Sequence, residues 1–306
     1  MRTRHLSVAA VAVLSAASIA SAANVVTVQQ GGVGRWTGLA AKECGIYGKR
    51  YAAVDAACYY PVDIRAKRGA HAIALWDQDG RKHDGTLRVE KSDFPEVQMT
   101  LPDSLDRFLH IGADDLARAK REHAAVAKVL GGTLDAPSFS LPLAAPTASL
   151  PKSEDDFGSV RVFDADHRSL HSGRDYPVPE GNTVKAVADG KVVLAGEQFF
   201  SGNSVFVDHG DGLVSMNFHL SSIAVKDGDV VKRGEALGRI GATGRATGPH
   251  LHLGVRWLGK RIDPALLLAS PDALPSVADS PAEAQHKIDQ AESREPPEQD
   301  DLDDEG

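Results

Sequence analysis

Between residues 157 and 268 the sequence never runs far without a glycine, and the stretches between glycines are short and β-branched. Residues 184–187, 191–194, 205–208 and 213–218 are such stretches, with Gly190 and the Gly210-Asp211-Gly212 triplet between them. Short apolar runs bounded by turn residues suit strands and are too brief for stable helices. Short strands joined by tight turns pair antiparallel. The pattern therefore predicts an antiparallel β domain built from hairpins over residues 157–270.

The preceding region has related texture. Residues 25–28, 72–76 and 86–89 are strand-like, and Asp77-Gln78-Asp79-Gly80 between the last two is a hairpin turn signal. Residues 23–109 read as a small β accessory domain, for which an immunoglobulin-like arrangement is one option. Residues 110–156 read as a helix and a linker. Asp114 or Asp115 can cap the helix, Leu116, Ala119, Ala127 and Leu130 recur at helical spacings, and Gly131-Gly132 ends it. The Pro-, Ala- and Ser-rich residues 137–151 suit an extended linker or a segment lying along a surface. The fold class is mainly β, with one connecting helix.

The two ends have their own character. Arg2 and Arg4, an apolar run over residues 6–20 and the small residues Ala20-Ser21-Ala22 form a secretory signal pattern over residues 1–22. The alternative is a short membrane anchor, but the run falls short of the roughly 20 residues that span a bilayer. The expectation is export to the periplasm or the medium, with no transmembrane helix in the mature chain. At the other end, residues 281–306 carry ten acidic residues against Lys287 and Arg294, which accounts for the whole formal net charge of −8. Residues 271–306 read as an acidic disordered tail, because they cannot bury enough apolar surface to offset ordering. The rest of the chain is near neutral and has no basic stripe, which argues against nucleic acid as a partner. Cys44 and Cys58 are the only cysteines. In an exported chain they invite a disulfide worth on the order of 3 kcal/mol, the alternative being two buried thiols.

Six of the 12 histidines fall between His167 and His252. His171-Ser-Gly-Arg-Asp175 offers an imidazole and a carboxylate, both good zinc ligands, though a surface His–Asp pair reads the same way. His250-Leu251-His252 lies in an alternating strand-like segment, so both imidazoles point to one face. They can share a metal, divide metal and substrate between them, or simply face solvent. His219 lies near the end of the strand that follows the Gly-Asp-Gly turn, and taken singly it reads as a half-buried, backbone-bonded histidine.

Taken in order, these patterns resemble a known family. Residues 170–175, the G-N-T-V-K-A-V-A-D-G run at 181–190, residues 202–210, Phe218-His219-Leu220-Ser221, residues 228–234 and residues 241–252 are similar to the M23 peptidases. These are the lysostaphin- and LytM-like zinc endopeptidases that cut peptidoglycan cross-links. The likeness covers residues 157–268 without large gaps, and more weakly the accessory region of envelope members. It implies a LytM/lysostaphin-like fold, one Zn2+ ion, and His171, Asp175 and His252 as metal ligands. His219 and His250 would flank the metal without binding it, one assisting proton transfer and the other stabilising the oxyanion. Three protein ligands leave a tetrahedral position open, as in catalytic zinc sites. His209, also in a familiar family position, is expected to be structural.

The resemblance implies a peptidoglycan peptide as substrate, with D-Ala–diaminopimelate cross-links favoured over glycine-rich bridges and bond choice set by loops such as 197–203. It fixes no oligomeric state. The rival reading is a non-catalytic peptidoglycan-binding regulator of wall hydrolases, but members of that kind have lost ligands that are all present here. In one place the sequence departs from the family pattern. The aromatic often found two residues before the third-motif histidine is here Asn217. In a regular strand Asn217 shares a face with His219, while Phe218 faces away.

Overall fold

Alternation of buried and exposed residues organises the N-terminal region. In β1 (Val25–Gln29) only Val26 and Val28 are buried, the period-2 signature of a strand covering a core on one face. The computed structural model describes residues 24–133, 135–153, 157–163 and 167–277. The expected signal peptide, and the tail beyond residue 277, lie outside the described residues.

β1 is followed by β2 (Val33–Trp36), β3 (Ala41–Ile46), β4 (Lys49–Ala52), β5 (Cys58–Pro61), β6 (Gly69–Asp77) and β7 (Lys82–Glu90). A five-stranded sheet has the order β1-β7-β6-β3-β4, and β2 pairs with β5 in a second, two-stranded sheet. The β6–β7 hairpin closes at the expected Asp-Gly turn, where the Gly80 N–H donates to the Asp77 carbonyl at 3.0 Å. β1 joins β7 in parallel, so this sheet is mixed. Cys44 of β3 and Cys58 of β5 form the disulfide, with Cα atoms 5.4 Å apart, and it ties the two sheets together.

β8 (Glu96–Gln98) then leaves the N-terminal region and pairs in parallel with β9 (Val160–Val162), which pairs with β10 (Arg168–Leu170). Between them runs α1 (Ala113–Val129). Its N-cap is Gly112, not an aspartate; Asp114 and Asp115 instead occupy the first turn, where they oppose the helix dipole. Val126, Val129 and Leu130 pack the helix end on Phe206, Val214 and Met216. Residues 137–151 run along the surface of the later strands: the N–H groups of Leu143 and Ala144 donate to the carbonyls of Leu267 and Val187, both at 2.8 Å.

The remaining strands are β11 (Gly173–Tyr176), β12 (Thr183–Lys185), β13 (Gly190–Gln198), β14 (Gly202–Asp208), β15 (Leu213–Ile223), β16 (Val230–Val231), β17 (Ala236–Ile240), β18 (Leu251–Trp257) and β19 (Lys260–Ile262). They form one sheet with the path β11-β18-β15-β14-β13-β16, and every pairing in it is antiparallel. The fold class is the expected one. A short helix α2 (Pro264–Leu268), capped by Asp263, follows.

The two β regions share one apolar core, in which Tyr59 stacks on Trp257 with ring centroids 5.7 Å apart. Arg261 grips Asp63 through both carboxylate oxygens, at 2.6 and 3.0 Å. Residues 271–277, assigned from composition to the tail, pack back instead: Leu274 and Val277 are buried, and the Arg35 N–H donates to the Pro275 carbonyl at 2.8 Å. Two buried apolar side chains and backbone hydrogen bonds to Arg35 hold them before the acidic run begins.

Asp211 sits at this junction, in the turn between β14 and β15. Its Oδ1 accepts the Ala52 N–H at 2.9 Å, while Oδ2 is buried without a hydrogen-bond partner among the described residues. Burial pushes its carboxyl up from 3.8 to about 7. The folded state therefore holds a proton that the unfolded chain releases near pH 4, and stability falls as pH rises from about 4 to about 7. Asp211→Asn should remove that fall. In thermal melts the variant should match the wild type near pH 4 and exceed it at pH 8 by on the order of 10 °C, since moving a carboxyl from 3.8 to about 7 corresponds to about 4 kcal/mol. An equal offset at both pH values would contradict this account.

Candidate metal centre

Register delivers the centre. β18 lies between β11 and β15, with Asp175 directly opposite His252 on one side and Phe218 opposite it on the other. Directly paired residues share a face, with Cβ atoms about 5 Å apart. His171 lies two residues before β11, and its N–H donates to the Ser159 carbonyl at 2.9 Å, which fixes it against the β9–β10 hairpin. Gly173 faces Gly254 across the β11–β18 ladder. A Cβ built on Gly173 would stand 2.5 Å from His252 Nε2, so only glycine lets this strand approach the imidazole.

The donor atoms converge. His171 Nε2 is 3.2 Å from Asp175 Oδ1 and 3.0 Å from His252 Nδ1, which is 2.8 Å from the same Oδ1. Three lone-pair atoms this close need protons or a cation between them. Tetrahedral zinc with bonds of about 2.0–2.1 Å sets its ligands roughly 3.3 Å apart, so the triangle fits such an ion. Among the described residues, His171, Asp175 and His252 form the one group of this kind. Burial alone would raise the Asp175 pKa, but hydrogen bonds and charge from His171 and His252 outweigh it and hold the carboxyl well below the usual range. Burial also pushes His252 down, favouring the neutral imidazole a metal requires. Arg161 Nη2 donates to Asp175 Oδ2 at 2.7 Å, leaving Oδ1 to face the two imidazoles.

His219 and His250 stand beside the triangle, with ring centroids 4.8 Å apart. His219 Nδ1 donates to the Thr243 carbonyl and His250 Nδ1 to the Gly248 carbonyl, both at 2.8 Å. Each therefore keeps Nε2 free of the backbone. Burial, reinforced by His252 and His250, pushes His219 down to about 3, so its ring is neutral at physiological pH. His209 is elsewhere: fully buried, it bonds the Asp189 carbonyl at 2.7 Å and Ser215 Oγ at 2.8 Å, a structural histidine as expected.

The expected side-chain directions around His219 are reversed. His219 has φ of 63°, and the β15 ladders slip around it. A left-handed residue in mid-strand breaks the alternation. Phe218 and His219 consequently both line the cleft, and Phe218 stacks on His252 with planes 1° apart. Asn217 turns into the interior, fully buried, and never meets the cleft.

The centre opens into a cleft of about 550 Å³. Phe200 and Ser201 of the β13–β14 turn, the loop carrying Arg245, and Arg161 form much of its wall. Val97, Met99 and Leu101 form another part, so the N-terminal region contributes directly to the groove. The sequence carries a signal for that wall, since these three apolar residues recur at the period of a strand. Arg161, Thr243 and Arg245 escaped sequence reasoning, because a lone arginine or a backbone acceptor has no pattern.

An antiparallel β domain with a His–Asp–His donor set open to a cleft, flanked by two further histidines, defines a hydrolase-type metal site. The model of peptidase family M23 matches residues 169–264. The crystal structure of a protein described as a candidate M23 peptidase from Pseudomonas aeruginosa is 32% identical, covers 78% of this chain and 94% of its own, and has a TM-score of 0.57. The chain belongs to peptidase family M23. DD-carboxypeptidase/endopeptidase Mpg of Neisseria meningitidis is 39% identical over 104 residues, 34% of this chain and 24% of that protein. Peptidoglycan DD-endopeptidase ShyA of Vibrio cholerae is 44% identical over 82 residues, 27% of this chain and 19% of that protein. The chain thus matches about a quarter or less of the length of these curated relatives.

Gly173→Ala should displace His252 without touching a donor atom. Competition with a chromogenic chelator should show zinc affinity lowered by on the order of tenfold or more. Unchanged affinity would mean that β11 does not set the position of His252.

Proposed function

We propose that the chain is an exported zinc metalloendopeptidase that hydrolyses peptide cross-links of peptidoglycan, with His171 Nε2, Asp175 Oδ1 and His252 Nδ1 as the ligands of one zinc ion. The carrying observation is the donor triangle opening into the cleft beside His219 and His250. A zinc ion held there would supply an activated water and polarise the scissile carbonyl. Arg161 orients the Asp175 carboxylate. The Thr243 carbonyl keeps the His219 proton on Nδ1, so Nε2 can accept a proton from the attacking water. His219 is the proposed base, because it lines the cleft with Nδ1 tied to the backbone and Nε2 left to accept a proton. His250, with Nε2 3.7 Å from Asp175 Oδ1, is the proposed partner for the developing oxyanion. The relatives named as peptidoglycan DD-endopeptidases support the substrate class, and the N-terminal signal pattern supports export.

Purified peptidoglycan incubated with the zinc-loaded chain, followed by mass spectrometry of the released muropeptides, tests this reading. The expected products are uncross-linked stem peptides, and a chelator should stop their release. His252→Ala should lose both bound zinc and release. His219→Ala should keep its zinc and slow hydrolysis by about 10²–10⁴-fold. Release that ignores the chelator, or His219→Ala acting at the wild-type rate, would refute the proposal.

A further inference from the structure

The cleft holds a second charged group for which the metal chemistry has no use. Arg245 extends along the cleft wall with its guanidinium between two rings, 5.0 Å from the Phe163 centroid and 5.3 Å from that of Phe200. Its side chain has one hydrogen bond, from Nη2 to Ser169 Oγ at 3.3 Å, and no acidic partner among the described residues. A guanidinium has five N–H donors, so most of its fork is unspent. Another cation, Arg161, acts on it, and Arg161 is already engaged with Asp175.

A guanidinium set in a half-buried, partly aromatic cleft beside another cation is costly unless an anion joins it. Contact with the two aromatic rings restrains the guanidinium, whose planar fork suits two-pronged recognition of a carboxylate. The position of Arg245 is also tied to the proposed base. Its N–H donates to the Phe200 carbonyl at 2.8 Å, and two residues earlier the Thr243 carbonyl holds His219. Gly244 between them has φ of 72°, and a Cβ there would stand 2.3 Å from the Gly202 nitrogen. The loop is therefore locked onto the β13–β14 turn, and the guanidinium keeps a set position relative to His219.

We propose that Arg245 is the receptor for a free carboxylate on the substrate peptide, so that the enzyme selects stem peptides bearing an anionic group near the scissile bond. The inference rests on the peptidase reading above. Two sources share this chemistry: the C-terminal carboxylate of a stem peptide, and a branch carboxylate such as that of a diamino diacid.

The test uses the full zinc-loaded chain and three versions of one defined cross-linked peptide: both carboxylates free, the C-terminal one amidated, and the branch one amidated. One of the two amides should lower kcat/KM by about tenfold or more, mainly through KM, and that amide identifies the carboxylate. Arg245→Met should bring this discrimination ratio to about one, and Arg245→Lys should retain part of it, which a merely misfolded loop would not. Equal handling of all three peptides by the wild type, or full discrimination by Arg245→Met, would overturn the proposal. Should the wild type bind zinc yet cut none of the peptides, the peptidase reading fails. Calorimetric binding of the same peptides then decides the Arg245 proposal alone: preference for the free carboxylate in the wild type, lost in Arg245→Met, supports it, and no preference in the wild type overturns it.

Discussion

The pairing of Asp175 with His252 across two antiparallel strands is the constraint on which the centre depends. In a β ladder a one-residue slip sends every side chain to the other face. The β11–β18 register must therefore hold, and several features far from the donor atoms hold it. Gly173 against Gly254 allows the close approach. On the opposite face, Arg174 clamps Asp263, the cap of α2, through two hydrogen bonds of 2.6 Å. On the other side of β18, Phe218 lies flat against the His252 ring. The metal triangle is thus a product of strand pairing, with His171 brought in by the neighbouring hairpin.

Electrostatics completes what register begins. Burial keeps His252 and His219 neutral, and Asp175 stays ionised because two imidazoles and Arg161 surround it. A carboxylate flanked by two imidazoles is a ligand set suited to a cation, which takes the place of the protons that these close donor atoms otherwise share. The strained backbone at His219, which costs on the order of 1–3 kcal/mol, turns toward the cleft a ring that regular alternation would place on the interior face with Asn217. Strain placed at the proposed base, in a strand otherwise regular, has the character of a functional feature.

Much of this was legible in the sequence, for identifiable reasons. Glycine-bounded β-branched runs encode the hairpins, and the i, i+2 spacing of His250 and His252 puts both rings on the cleft face. The Asp77–Gly80 turn and the Cys44–Cys58 bridge follow from local chemistry. What escaped reading was non-local or irregular. The reversal of Phe218 and Asn217 depends on one left-handed residue, which no alternation pattern signals. The groove wall of Val97, Met99 and Leu101 depends on β8 crossing to β9 across a long stretch of chain. Leu274 and Val277 looked like part of a polar tail because their partners lie in distant strands.

X-ray absorption at the zinc edge, combined with an anomalous difference map from crystals of the zinc-loaded chain, tests the central claim most directly. The account predicts one ion bonded to His171 Nε2, Asp175 Oδ1 and His252 Nδ1 at about 2.0–2.2 Å, with no sulfur ligand and one further position open. An ion held instead by His219 or His250, or lying outside the cleft, would contradict it.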